Sequence, residues 1–286
     1  MRPKAEGTDK LAPSLQPQQQ EGREKSLSNR QYRLVLALQR LIYGLARHWL
    51  ALANSLALLY VGLPFLAPLL MKLGWSGPAR LLYTVYSPFC HQLAFRSWFL
   101  FGQQVVYPRD EFAALVGTAD WLEARRFVGN ATMGYKVALC QRDVAIYGAL
   151  FLGGLLFALL RHRRRIAPPS LRLFFLIGIL PIAADGGSQM LSYLLPFLPV
   201  RESTWYLRVI TGALFGLSLA WLAYPNFEEG MADIRRTLEA RYGWGPETSD
   251  SPPHPHRPPP STRDQVLQIL REHNLIEPAD DDAPVL

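Results

Sequence analysis

Three polar clusters interrupt otherwise apolar stretches of this chain: Cys90-His91-Gln92 with Arg96, Cys140-Gln141-Arg142-Asp143, and Asp185-Gly186-Gly187 with Gln189. Two thiols, an imidazole, two carboxylates and several guanidiniums are the ingredients of a metal centre or an anion clamp. Each cluster lies in or beside a segment hydrophobic enough to meet a lipid bilayer. Ionisable groups are costly to insert there and stand by default as functional candidates.

Cys90, His91, Cys140 and Asp143 together offer two sulfurs, one imidazole nitrogen and one carboxylate. That set suits tetrahedral zinc, with Asp185 as a further oxygen or an outer partner. Cys140 and Asp143 have i, i+3 spacing, which places both on one helical face, whereas the neighbours Cys90 and His91 do not easily share an ion. The other reading of these cysteines, the only two in the chain, is a Cys90–Cys140 disulfide, the ordinary outcome on the oxidising side of a plasma membrane. A redox-active pair would lack the usual Cys-x-x-Cys spacing.

The arginines also have two readings. Arg96, Arg142 and Arg208 have the bidentate geometry that recognises phosphate, and they suit ion pairs with Asp143 and Asp185 equally well. Gln92 and Gln189 join Arg96 and Arg142 as candidate substrate-binding residues. Asp185, as general base, and Arg208 are the candidate catalytic residues.

The elements that must position these groups are membrane helices. Trp49 to Met71 is apolar and free of charge, and at 1.5 Å per residue it spans a hydrocarbon core of about 30 Å. Val144 to Leu160, extended back to Val137, gives a second span that runs into the basic cluster Arg161-His162-Arg163-Arg164-Arg165. A third begins at Leu171 and reaches Asp185, where Gly186 and Gly187 suggest that the helix unwinds. Leu207 to Tyr224 is the fourth. Arg30, Arg33, Arg40 and Arg47, with the cluster at 161–165, read as cytoplasmic by the positive-inside rule. Residues 81–102, apolar but carrying Cys90, His91 and Arg96, are therefore expected as a re-entrant or interfacial helix; the competing reading is a fifth span, which Arg109, Arg125, Arg126 and Lys136 in the following loop favour. The fold class is all-α, a polytopic transmembrane bundle. Asp143, Asp185, Arg208 and the Cys90-His91 segment then converge at one membrane face.

The remaining segments are polar. Residues 1–30 hold too little apolar surface to fold and carry no signal peptide, so the first span is expected to direct insertion. The helical membrane domain covers 31–224, and residues 225–248 read as an amphipathic surface helix. A Pro/His-rich linker occupies 249–262, followed at 263–286 by a short tethered helix and acidic tail. Residues 263–276 are the expected docking segment for a cytoplasmic protein partner. The net charge of +7 is concentrated where it faces anionic lipid, so membrane lipids and not nucleic acid are the expected partners. Phosphate-loop, dinucleotide, nucleophile-elbow and His-Glu-x-x-His patterns do not occur in the sequence.

Cys90-His91-Gln92, Arg96-Ser97, Gly102, Cys140-x-Arg142, Ile146-Tyr147-x-x-Leu150, Asp185-Gly186 with Gln189, and Arg208-x-x-Thr211-Gly212 occur in this order. The ordered set, over roughly residues 85–220, resembles the membrane family known as domain of unknown function 2085. The resemblance implies a polytopic protein of a prokaryotic plasma membrane, with both termini cytoplasmic by the topology above, and implies no activity. Many members carry a second cysteine where this chain has Asp143, an exchange that keeps a metal ligand but removes a thiol pair within the motif. Two function classes follow: metal-dependent chemistry on a lipid or polyprenyl phosphate at the outer interface, or a non-catalytic scaffold with a Cys90–Cys140 disulfide and the C-terminal docking helix. A transporter is a third reading, with little pathway in four spans.

Overall fold

The structure is a computed structural model that describes residues 29–163, 166–195 and 197–245. The linker at 249–262, the tethered helix and docking segment at 263–286, Arg164, Arg165 and nearly all of the polar tail at 1–30 lie outside the described residues.

Among the described residues, four helices are long and apolar enough to cross a membrane: α1 Asn29–Lys72, α5 Gln141–Leu160, α6 Leu171–Leu194 and α7 Trp205–Tyr242. The all-α class and the four spans follow the hydrophobic pattern. The first span is longer than expected. Its 44 residues include positions 30–48, which hold mostly good helix formers, one glycine at Gly44 and no proline. Residues 225–242 likewise continue α7 without interruption through Pro225.

The helix α6 contradicts the expected unwinding. It stays helical through Asp185-Gly186-Gly187 to Leu194. Its irregularity lies earlier, where a wider π turn runs over Phe175–Ile179. Pro181 has no amide to offer the carbonyl four residues back, and the wider turn accommodates that loss.

Between α1 and α5 the expected interfacial helix is present only in part, as α2 Ser76–Tyr86. The rest is a small folded layer: β1 Ser97–Leu100, α3 Arg109–Val116, α4 Trp121–Arg126, β2 Gly129–Asn130 and β3 Gly134–Cys140. The sheet has the order β1-β3-β2 and is antiparallel throughout, with Ser97 opposite Cys140 and Phe99 opposite Lys136. Residues 137–140 therefore belong to the central strand and not to the second span, which begins at Gln141. Phe95, Phe99, Tyr107, Phe112, Ala124 and Met133 form the buried core of this layer.

Two compact units divide the chain. Residues up to Ala46 and from Arg235 form one. There Arg235 donates to the Ala46 carbonyl at 2.8 Å, Tyr43 donates to Glu239 at 2.9 Å, and Arg40 lies over the Trp244 ring. Arg47–Ile234 forms the other and contains the spans' apolar parts and the sheet layer. Within it, Trp49, Leu50, Phe157, Ala220 and Tyr224 pack into one cluster, and Glu228 accepts from Trp49 and Arg161, both at 2.9 Å.

Candidate functional site

The sheet layer and the adjoining ends of α5, α6 and α7 enclose a pocket of about 810 Å³. The polar clusters meet at this pocket. Cys90, His91, Gln92, Arg96, Cys140, Arg142, Asp143, Gln189 and Arg208 all reach its walls. Asp185 lies immediately behind it, bonded to Arg142.

Cys140 is the residue that turns strand β3 into helix α5. Its extended backbone caps the helix, and its Sγ lies 3.2 Å from Asp143 Oδ2 one turn on. Cys90, buried after the end of α2, accepts the Cys140 backbone amide on its sulfur at 3.3 Å. The two sulfurs and an Asp143 oxygen all lie within 4.8 Å of one another. The hydrogen bond to Cys140, burial and the nearby carboxylate push the Cys90 thiol well above its ordinary range. Three acidic groups packed this closely repel as anions, and a divalent cation would offset that repulsion while releasing protons.

Two expectations for these residues are corrected. Both cysteines are free thiols in the structure, not a disulfide. His91 does not join the sulfur–carboxylate group. It is exposed at the pocket wall, with its ring 4.9 Å from that of Trp121, which lines the same pocket. Its ring nitrogens are not part of the group that Cys90, Cys140 and Asp143 form.

The charged residues form a network around two carboxylates. Asp185, with a side chain 5% exposed, pairs with Arg142 at 2.5 Å and Arg201 at 3.0 Å. The Ser203 hydroxyl stands 2.8 and 2.7 Å from its two oxygens. A carboxylate held by two guanidiniums and a hydroxyl is engaged by internal partners on both of its oxygens. Gly186 is what lets Arg142 come so near, since a Cβ there would lie 2.8 Å from its Nη1. Glu202 is the second hub. It accepts from Arg96 at 2.7 and 2.9 Å, from Gln189 at 2.5 Å, from Tyr193 at 2.8 Å and from Arg208. Arg208 is buried and also donates to Gln141 at 2.9 Å, tying α7 to α5.

Glu202, Arg201, Ser203 and Lys136 have no counterpart among the sequence candidates. The first three sit in the short connection between α6 and α7, just ahead of the apolar run, where charge is ordinarily read as a solvated span boundary. Lys136 is fully buried in β3 and donates to the Gln92 carbonyl at 2.6 Å and the Arg125 carbonyl at 2.7 Å. Burial lowers its pKa from 10.5 to about 7. Gln92 is held by this lysine, and its own amide donates to the Tyr83 carbonyl at 2.8 Å. Its backbone adopts a φ of 54°, and both contacts fix that left-handed turn. Gln92 and Gln189 thus spend their side chains on internal bonds.

Two comparisons with known proteins bear on this arrangement. The family described as predicted membrane protein (DUF2085) matches residues 129–222. The resemblance carried by the motifs holds over this stretch. It includes Cys140, Arg142, Asp143, Asp185, Glu202 and Arg208, while Cys90-His91-Gln92 and Arg96 precede it. An uncharacterized protein of the archaeon Methanocaldococcus jannaschii is 26% identical over 188 residues, which is 64% of this chain and 94% of that relative. No solved structure matches the chain. Together with the four apolar helices, the family match makes this chain a membrane protein.

Proposed function

We propose that this membrane protein holds a thiophilic divalent metal ion, zinc by its donor set, with Cys90, Cys140 and Asp143 at the wall of the interfacial pocket. The reading rests on one observation: two sulfurs and a carboxylate oxygen within 4.8 Å of one another, all three residues lining the same open pocket. Tetrahedral zinc with bonds of about 2.0–2.3 Å sets its donors roughly 3.5–4 Å apart, so small rotamer adjustments suffice. Three protein ligands would leave a fourth position of such an ion open, the pattern of a catalytic rather than a closed structural site. Zinc bound there would supply an activated water for hydrolytic or transfer chemistry.

The chain's own residues divide the remaining work. Lys136 and Gln92 hold the turn that presents Cys90, and the Asp185 and Glu202 hubs fix the ends of α5, α6 and α7. Asp185 serves here as a positioning group and not as the base. By the positive-inside rule the pocket faces the outside of a prokaryotic plasma membrane.

Metal content per chain, measured by elemental mass spectrometry on protein purified without chelators or metal-affinity resin, tests the reading. About one zinc per chain is expected. Cys140→Ser and Asp143→Asn should each lower the retained metal, whereas His91→Ala should not. Metal-free wild-type protein would overturn the proposal.

A further inference from the structure

Four guanidiniums, those of Arg96, Arg109, Arg142 and Arg208, line this pocket. Arg96, Arg142, Arg201 and Arg208 share two acceptors, Asp185 and Glu202. Arg109 adds a guanidinium at the pocket wall, and among the described residues it forms no ion pair or hydrogen bond. The buried Nε–H groups of Arg109, Arg142 and Arg208 are all without acceptors, and all three residues line this pocket. Asp120, the other pocket-wall acid besides Asp143, accepts the Leu122 and Glu123 amides and so caps its own helix α4.

Part of the lining is apolar. Met190 and Leu194, one helical turn apart on α6, line the pocket and are largely exposed, as is Phe89. Because α6 is a membrane span, this part of the lining continues a lipid-facing helix surface.

We infer that the pocket binds a phosphate-type oxyanion carried on a hydrocarbon tail, with Arg109 as the guanidinium that contacts the headgroup and Met190 and Leu194 bordering the tail. This inference rests on the metal-site reading only for the pocket they share. It also reassigns the anion contact: Arg96 is committed to Glu202 and Arg142 to Asp185, which leaves Arg109 as the guanidinium without an internal counter-ion. A guanidinium donates bidentately to phosphate oxygens, and it does so most strongly where water is scarce.

Native mass spectrometry of the detergent-purified full chain, titrated separately with phosphatidic acid, phosphatidylcholine and inorganic phosphate, tests the inference. Wild type should retain phosphatidic acid over phosphatidylcholine, and Arg109→Gln should weaken that retention about tenfold, the effect of one lost charge-assisted contact. Zinc content and melting temperature of Arg109→Gln should match wild type, and Cys140→Ser should lose metal while keeping the lipid. Loss of metal binding in wild type with lipid retention intact would sink the metal reading alone. Equal retention of the two lipids, or undiminished retention by Arg109→Gln, would overturn this inference, as would inorganic phosphate binding as tightly as the lipid, since the apolar wall would then contribute nothing.

Discussion

At the scale of single residues, Lys136 is the group whose environment departs most from its chemistry. A fully buried ammonium has two backbone carbonyls, Gln92 and Arg125, and the face of the Tyr83 ring in place of water. Cys90 favours its charged form and Arg125 opposes it, but burial dominates and brings its pKa to about 7. Between about pH 7 and 10.5 the unfolded chain binds a proton that the folded chain does not, so this residue's contribution to stability rises with pH across that window. It is fully present above the unfolded value and is lost as pH falls toward 7. Melting temperatures in detergent at a series of pH values should therefore climb more steeply for wild type than for Lys136→Met, with the two slopes differing only between about pH 7 and 10.5. Parallel slopes would mean that the two carbonyls hold the lysine charged throughout. None of this was readable from the sequence, where Lys136 stands among loop charges and gives no sign that its neighbours bury it.

At the scale of elements, helix pairs inside a membrane approach by small residues, since lipid tails compete for apolar contact. Gly212 and Gly216 put small residues at i, i+4 spacing along α7, and the structure gives the partner. A Cβ on Gly212 would lie 2.8 Å from the Arg142 carbonyl, and one on Gly216 would lie 2.2 Å from the Ile146 carbonyl, so α7 lies backbone to backbone on α5. Gly216→Ala must push these helices apart and should cost about 1–3 kcal/mol, as overpacking does. Gly148→Ala, in the same helix α5 but with open space around its added methyl, should be neutral or stabilising by up to about 1 kcal/mol through helix propensity. Thermal unfolding of the two variants in one detergent separates the cases, and equal losses would show that glycine matters here for some other reason. The sheet layer was the illegible element. Val137-Ala138-Leu139-Cys140 is a short apolar run continuous with the span that follows, and periodicity cannot distinguish such a run as strand or helix. The π turn in α6 and the placement of His91 were hidden for a related reason, since both are set by what packs against them.

At the scale of the whole molecule, the antiparallel order of four spans was enough to bring Cys90, Cys140, Asp143, Asp185 and Arg208 to one end, because each lies next to a span terminus on that side. The same order bears on orientation. The pocket end carries basic residues too, including Arg80, Arg109, Arg125, Arg126 and Lys136, but they belong to the segment between Lys72 and Gln141. The positive-inside bias is counted over short connections of up to about 60 residues, and longer folded segments cross largely regardless of charge. Several of these charges are also engaged internally: Lys136 is buried, and Arg125 donates to the Ser87 carbonyl at 3.1 Å. The short connection from α5 to α6 is different, with Arg161 and Arg163 inside ten residues and Arg172 just beyond. By the positive-inside rule those residues are the basis for the proposed orientation, with their end of the bundle in the cytoplasm and the pocket outside. A cysteine placed at Thr118, in the turn between α3 and α4, should react with a membrane-impermeant maleimide on intact cells above the background of native protein, whereas one placed at His162 should react only after permeabilisation. The reverse pattern would put the thiols of the pocket in a reducing compartment, where they would persist as metal ligands without competition from disulfide formation. The orientation therefore decides whether zinc must outcompete oxidation at Cys90 and Cys140, and the close Asp143 carboxylate is the feature that would favour the metal in that contest.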